Sequence, residues 1–257
     1  MEGQSRGDGM DLRRRLTDII VASVESQEKL PSEKQMMDDL GISRSSLREA
    51  LSFYEACGVV RVRQGSGRYA ALPDVSAQIV DMWSIALRID PTFLLELLDV
   101  RVVLEEAMLP KLVERVRLEH LQELDGLARG MERHALAGET FVAEDRAFHL
   151  ALCRALENRP MGQLISAFWD LFERASLGFP HGALQETAAQ HREMMEALAR
   201  KDLDALVKVT RKQHADARYR LILALWRTTG RRETRRRKAP SARPKNHRKE
   251  ALSDAES

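Results

Sequence analysis

The chain is short of cysteine, of long apolar runs and of net charge, and each shortage narrows what it can be. Its 257 residues hold only Cys57 and Cys153. Two cysteines make no disulfide framework and fit a reducing, cytoplasmic setting. No apolar stretch reaches bilayer-spanning length, so no membrane role is expected. The opening MEGQSRGDGM lacks the apolar core of a secretory signal. Internal repeats are absent. Apolar residues make up 44%, an ordinary share, and the length allows two modest domains plus tails.

The formal net charge of +2 conceals a division. Residues 1–76 carry 11 Lys and Arg against 12 Asp and Glu; residues 77–226 carry 19 against 23. Residues 227–257 carry 11 against 4. The basic end contains RRETRRRK and APSARPKNHRKE, almost without apolar residues, and reads as a disordered tail over 227–257. Such a tail either adds salt-sensitive, sequence-independent DNA affinity or serves only solubility. Residues 1–10 read as a disordered lead.

What is present in strength lies between Leu30 and Leu72. Ser32 and Gln35 form an S-x-x-Q capping box that starts a short helix. Gly41 suits its left-handed end, and Ser43 suits the N-cap of a second helix. Leu47, Ala50, Leu51 and Tyr54 recur at helical spacing on one face of that helix. Arg44, Ser45 and Arg48 fall on or near the other. Gly58 ends the helix, Val59, Val60 and Val62 favour a strand, Gln64-Gly65-Ser66-Gly67 turns, and Arg68 to Leu72 returns. This order predicts a winged helix-turn-helix over 11–74, preceded by a helix at Leu12 to Glu25.

Reading DNA needs these residue types. Arg forks onto guanine or phosphate, Ser bonds phosphate, and open N–H groups at a helix start attract anions. The expected DNA contacts are Lys34, Ser43, Arg44, Ser45 and Arg48, with Gln64 and Gly65 at the wing tip. The competing reading pairs Arg48 with Glu49 or Glu55 on a solvated surface. The domain as a whole is not basic, so its DNA face must come from clustering of Arg44, Arg48, Arg61, Arg63 and Arg68.

The segment resembles the DNA-binding domain of the GntR family of bacterial regulators. The resemblance rests on Leu30-Pro31-Ser32-Glu33, Ser43-Arg44, Leu47-Arg48-Glu49-Ala50-Leu51 and Gly65-Ser66-Gly67. Lys34 stands where that family usually has Arg, which replaces a planar fork by a point charge.

From 75 to 226 the sequence reads as all helix. Expected helices are 76–87, 92–114, 118–137, 140–156, 160–177, 183–199 and 203–226. Pro91, Gly138, Asn158-Arg159-Pro160, Gly178-Phe179-Pro180 and Lys201-Asp202 mark the joints. The fold class is therefore mainly α: a winged helix-turn-helix with a small hairpin, then an antiparallel helical bundle. Asp145 and His149 stack on one helix face, with His191 and His214 on the last two helices. Three imidazoles and a carboxylate suit a divalent ion such as Zn²⁺ or Ni²⁺, although this spacing alone is a weak signal. Cys153 continues that face and reads more simply as a small buried residue. Trp83, Phe168, Trp169 and Phe172 read as core or pocket wall; His120, His134 and His181 read as solvated.

This half resembles the FCD ligand-binding domain of the FadR subfamily. The matching pieces are Leu97-Leu98-Asp99-Val100-Arg101, Leu104-Glu105, Glu144 to His149, Glu157-Asn158, Gln190-His191, Asp202 to Ala205 and His214. The resemblance implies a metal held by Asp145, His149, His191 and His214, and an effector-pocket role for Arg101. The alternative for Arg101 is a simple pair with Glu105 one turn on. The expected function is a non-enzymatic, homodimeric transcriptional regulator on a pseudo-palindromic operator in double-stranded DNA. A small carboxylate on the metal would control operator affinity, with repression as the default. Two other classes compete: a metal-dependent hydrolase or lyase at the Asp/His site, and a sequence-independent DNA binder driven by the tail.

Overall fold

The computed structural model describes residues 2–175 and 184–238, with side chains described over 11–175 and 184–227. The chain opens with α1 (Glu2–Ser26), α2 (Glu33–Leu40) and α3 (Arg44–Ala56). A hairpin of β1 (Val60–Arg63) and β2 (Gly67–Ala70) follows. Then come α4 (Ser76–Ile89), α5 (Phe93–Arg115), α6 (Leu118–Ala137), α7 (Val142–Ala155), α8 (Arg159–Arg174), α9 (Leu184–Ala199) and α10 (Leu203–Lys238). The protein is mainly α, with a winged helix-turn-helix ahead of a helical domain.

Local chemistry sets the first module. Ser32 Oγ accepts from Gln35 N at 3.2 Å, and Gln35 Oε1 accepts from Ser32 N at 3.0 Å, closing the capping box. Gly41, at φ 68°, supplies the left-handed turn between α2 and α3, where a side chain would strain the backbone. Ser43 Oγ accepts from Ser46 N at 3.2 Å and starts α3. Leu47 and Leu51 then face a core of Leu16, Ile20, Leu30, Met36, Leu40 and Val60. Burial of each such side chain contributes about 1.5–3 kcal/mol. In the antiparallel hairpin Val60 pairs with Ala70 and Arg63 with Gly67. Leu30 N also donates to Arg68 O at 2.8 Å, tying the stretch before α2 to the wing.

In the helical domain α6 packs on α7 and α9, α10 on α5 and α9, and α8 on α4 and α7. One core gathers Leu109, Leu124, Met131, Phe148, Ile165, Met194 and Leu206 among others. A second joins Val80, Leu94, Leu98, Phe168, Leu171 and Leu221. Asn158 caps α8 by accepting from Met161 N at 3.1 Å. Among the described residues no helix is long and apolar enough to cross a membrane.

Two helices run longer than their sequence patterns suggest. The backbone of α1 is helical from Glu2, in place of the disordered lead expected for residues 1–10. Propagation adds one hydrogen bond per residue once the turn bearing Leu16 and Ile20 is anchored. α10 continues past Trp226 to Lys238, through Arg, Glu and Lys that favour helix. The rest of the expected disordered tail, 239–257, lies outside the described residues, as does His181.

Candidate functional site

The exposed face of the first module carries the residues expected to meet DNA. Lys34, Ser43, Arg44, Ser45 and Arg48 are exposed, as are Gln64 and Gly65 at the hairpin tip. Ser43 Oγ lies 2.9 Å from both Ser45 Oγ and Ser46 Oγ, so the start of α3 presents a hydroxyl cluster. Arg48 pairs with neither Glu49 nor Glu55. Its Nε lies 3.4 Å from Glu33 Oε2, and Arg44 Nε lies 3.7 Å from the same oxygen. Their side chains stay 60% and 66% exposed, so both guanidinium groups remain open to solvent. Arg68 differs from the expected cluster. It donates to Glu33 Oε1 at 2.9 Å and to Glu55 Oε1 at 2.7 Å, and is only 25% exposed. Glu33 thus holds three arginines from α3 and β2. The Arg68 hydrogen bond lowers its carboxyl below the ordinary value; burial acts in the opposite direction, and the Arg48 charge reinforces the lowering.

The second site lies inside the helical domain. Asp145 and His149 on α7 and His191 on α9 bring one ligand atom each within 4.8 Å of one another. Asp145 Oδ1 lies 3.1 Å from His191 Nε2 and 3.4 Å from His149 Nε2. His191 Nδ1 faces the Thr187 carbonyl at 2.8 Å, so it carries the proton there. Nε2 of a neutral His191 is then a lone pair, with the Gln213 amide nitrogen 2.8 Å away. That lone pair also faces a carboxylate oxygen. Two such acceptors repel unless a cation stands between them or the imidazole takes a second proton. Burial raises the Asp145 carboxyl, but the positive charge His191 carries once its ring holds that second proton, with hydrogen bonds from both histidines, outweighs it and lowers it strongly.

His214 is not in this cluster. Its Nε2 bonds Glu105 Oε2 at 2.8 Å, while its Nδ1 is buried with no hydrogen-bond partner. Glu105, read in the sequence only as a partner for Arg101, also reaches both histidines. It takes Arg101 Nε at 2.8 Å and stands 3.4 Å from His149 Nδ1, itself an orphaned buried atom. Burial alone would raise the Glu105 carboxyl; the charges of Arg101 and His149 bring it well below its ordinary range. The available signal was the i, i+4 spacing from Arg101, which puts both on one face of α5.

Arg101 therefore pairs with Glu105 and also lines a cavity of 110 Å³. Its guanidinium lies 5.3 and 5.2 Å from the Phe168 and Trp169 ring centres. Asp145, His149, Phe172, Thr187, Gln213, His214 and Arg220 complete much of the wall. Cys153 is buried off this cavity, where burial and the nearby Glu105 charge push its thiol up to about 12, so it is no thiolate. Trp83 packs edge-on to Phe93 in the core. His120 Nδ1 accepts from Arg117 N at 3.2 Å, and His134 lies 3.3 Å from Glu144. Glu144 is thereby turned away from the acid–histidine centre.

Two family models match the chain. One, described as "Bacterial regulatory proteins, gntR family", covers residues 12–69; the other, "FCD domain", covers residues 96–217. The HTH-type transcriptional regulator LutR of Bacillus subtilis (strain 168) is 32% identical over 139 residues, 54% of this chain and 63% of that protein. The Glc operon transcriptional activator of Escherichia coli (strain K12) is 29% identical over 179 residues, 63% of this chain and 68% of that protein. The structure of Streptococcus agalactiae GntR matches in fold with a TM-score of 0.65 at 23% identity, over 82% of this chain and 99% of that chain.

Proposed function

Because this chain belongs to the GntR family of bacterial transcriptional regulators, in the FadR-like branch that carries an FCD domain, we propose that it reads an operator under control of a small carboxylate. The reading has a winged module over 11–74 on DNA, an effector domain over 75–226, and a homodimer acting in the cytoplasm. Two recognition helices would enter successive major grooves of a pseudo-palindromic site. Arg44 and Arg48 would read bases or phosphate, Lys34, Ser43 and Ser45 would take phosphate, and Gln64 and Gly65 would follow the backbone from the wing. A second copy is supported by the exposed stripe Met82, Ile85 and Ile89 on α4, where apolar area at helical spacing favours association.

One observation carries the effector half: a neutral lone pair of His191 and a carboxylate oxygen of Asp145 face each other at 3.1 Å beside His149. The donor set, two imidazoles and one carboxylate, fits a divalent ion such as Zn²⁺ or Ni²⁺. Thr187 O fixes the His191 tautomer as a second partner for such a ligand. His214, which lines the cavity and has an orphaned Nδ1, is kept as a further ligand of the same reading. A bound ion would supply positive charge and an open position for one carboxylate of the effector. Arg101 would meet that carboxylate through guanidinium hydrogens that Glu105 leaves unused.

Effector binding would then shift the placement of the two DNA modules, by its differential affinity for the two states. We take the effect as relief of repression; the Glc operon relative is an activator, and a reporter assay distinguishes the signs. His191→Ala should abolish the effector response and leave operator affinity within about two-fold. Unchanged effector response in a folded His191→Ala protein would sink the metal–effector reading.

A further inference from the structure

The cavity contains a second cation with no acidic partner among the described residues. Arg220, on α10, lines the same cavity as Arg101 and is half-buried. Its guanidinium donates from Nη1 to Thr187 Oγ1 at 3.1 Å. Arg101 is matched by Glu105 at 2.8 Å, but no carboxylate pairs with Arg220 among the described residues. Asp216, one turn earlier on α10, is taken by Gln190 at 2.6 Å instead. A half-buried guanidinium without a counter-charge is costly, and it is kept in place here by one hydroxyl.

Its position relates it to the acid–histidine centre. Thr187 holds Arg220 through its hydroxyl and His191 through its carbonyl. Thr187 and His191 are one turn apart on α9, about 6 Å along the axis. Gln213, Ala217 and Arg220 line the wall along α10. Arg220 therefore stands about one helical turn from the acid–histidine centre, on the wall of the cavity that Asp145 and His149 also line.

We propose that the effector is a short dicarboxylate whose second carboxylate is held by Arg220 and Thr187, an assignment that rests on the metal–carboxylate reading above. The charges agree with it. A divalent cation on the centre is half cancelled by Asp145, and Arg101 is cancelled by Glu105. Arg220 restores an excess of two positive charges, which a dianion neutralises and a monoanion does not. The 110 Å³ volume has room for about ten non-hydrogen atoms, enough for a short dicarboxylate. Phe168, Trp169 and Phe172 give the cavity an apolar wall suited to a short carbon chain.

The test uses the full chain loaded with zinc, titrated by calorimetry with racemic malate and with racemic 2-hydroxybutyrate. The two acids share a 2-hydroxy acid head, and malate has a carboxylate where the other has a methyl group. Malate should bind about ten-fold tighter or more. Arg220→Gln should remove that preference and leave 2-hydroxybutyrate affinity unchanged. Arg220→Lys, which keeps the charge without the fork, should retain part of it and covers the case in which the Gln variant fails to fold. Equal affinity of the two acids for the parent protein, or parallel weakening of both by Arg220→Gln, would overturn the assignment while leaving the metal–carboxylate reading. Asp145→Asn tests that reading separately: both acids should weaken. If Asp145→Asn changes neither while Arg220→Gln still removes the malate preference, the metal reading fails, and with it the place given to the first carboxylate, while Arg220 is left as a holder of one carboxylate. Binding of neither acid would overturn both.

Discussion

Glu33 governs the DNA face at the scale of single residues. It joins Arg44 and Arg48 of α3 to Arg68 of β2, so one carboxylate both aims two exposed guanidinium groups and ties the wing to the recognition helix. Exposed pairs of this kind contribute little to stability, and the consequence is expected in DNA binding. Glu33→Gln should raise affinity for scrambled DNA and steepen the plot of log K against log salt by about 1, while the operator preference falls. An unchanged slope and preference in fluorescence titrations would remove Glu33 from the reading surface. The caps at Ser32 and Ser43 were legible in sequence because a cap is a contact within four residues. The Glu33 pairs, the burial of Arg68 and the Glu105–His214 bond were not, because they join separate elements. Arg68 is the instructive case: a basic residue in a clustered run reads as DNA-facing until the fold brings two carboxylates to it.

Elements were the most legible scale. Gly138 ends α6 at φ 72°, and Asn158 caps α8, both as their residue types suggest. The helix ends of α1 and α10 were less so, since propensity and anchoring decide how far a helix extends. How helices lock together is also beyond local pattern. Arg192, beside His191 on α9, binds Glu132 at 2.8 Å and also Asp125, both on α6. The Arg192 hydrogen bonds lower both carboxyls, against the effect of burial. Depressed folded-state values mean that this stabilisation is present above the ordinary carboxylate range and is lost as pH falls through the folded values. Arg192→Gln should therefore lower urea stability at pH 7, with the gap to the parent protein narrowing as pH falls below the ordinary carboxylate range. A gap that persists undiminished in acid would show that Arg192 acts by packing and not by charge.

For the whole molecule, the question is how a ligand in the helical domain reaches the DNA module. One physical connection is the Gln163 amide near the start of α8. It donates to Pro73 O at 3.1 Å and accepts from Val75 N at 3.4 Å, clasping the linker. The same helix carries Phe168 and Trp169 on the cavity wall. Beyond the linker, Gln78 of α4 donates to Ala56 O at the end of α3 at 3.2 Å. Gln163→Ala should leave effector affinity and effector-free operator affinity within about two-fold and shrink the effector-induced change in operator affinity. An undiminished change would place the coupling elsewhere. None of this linkage was visible in the sequence, where Gln163 is one polar residue among many on a helix.

The most direct measurement is fluorescence anisotropy of the zinc-loaded full chain on DNA from upstream of its own gene, against scrambled DNA, titrated with hydroxy-, keto- and dicarboxylic acids. The account expects specific binding that a short dicarboxylate changes by about five-fold or more and that scrambled DNA does not share. Specific binding that no acid alters would contradict the effector-controlled regulator, and equal binding to both DNAs would contradict operator reading itself.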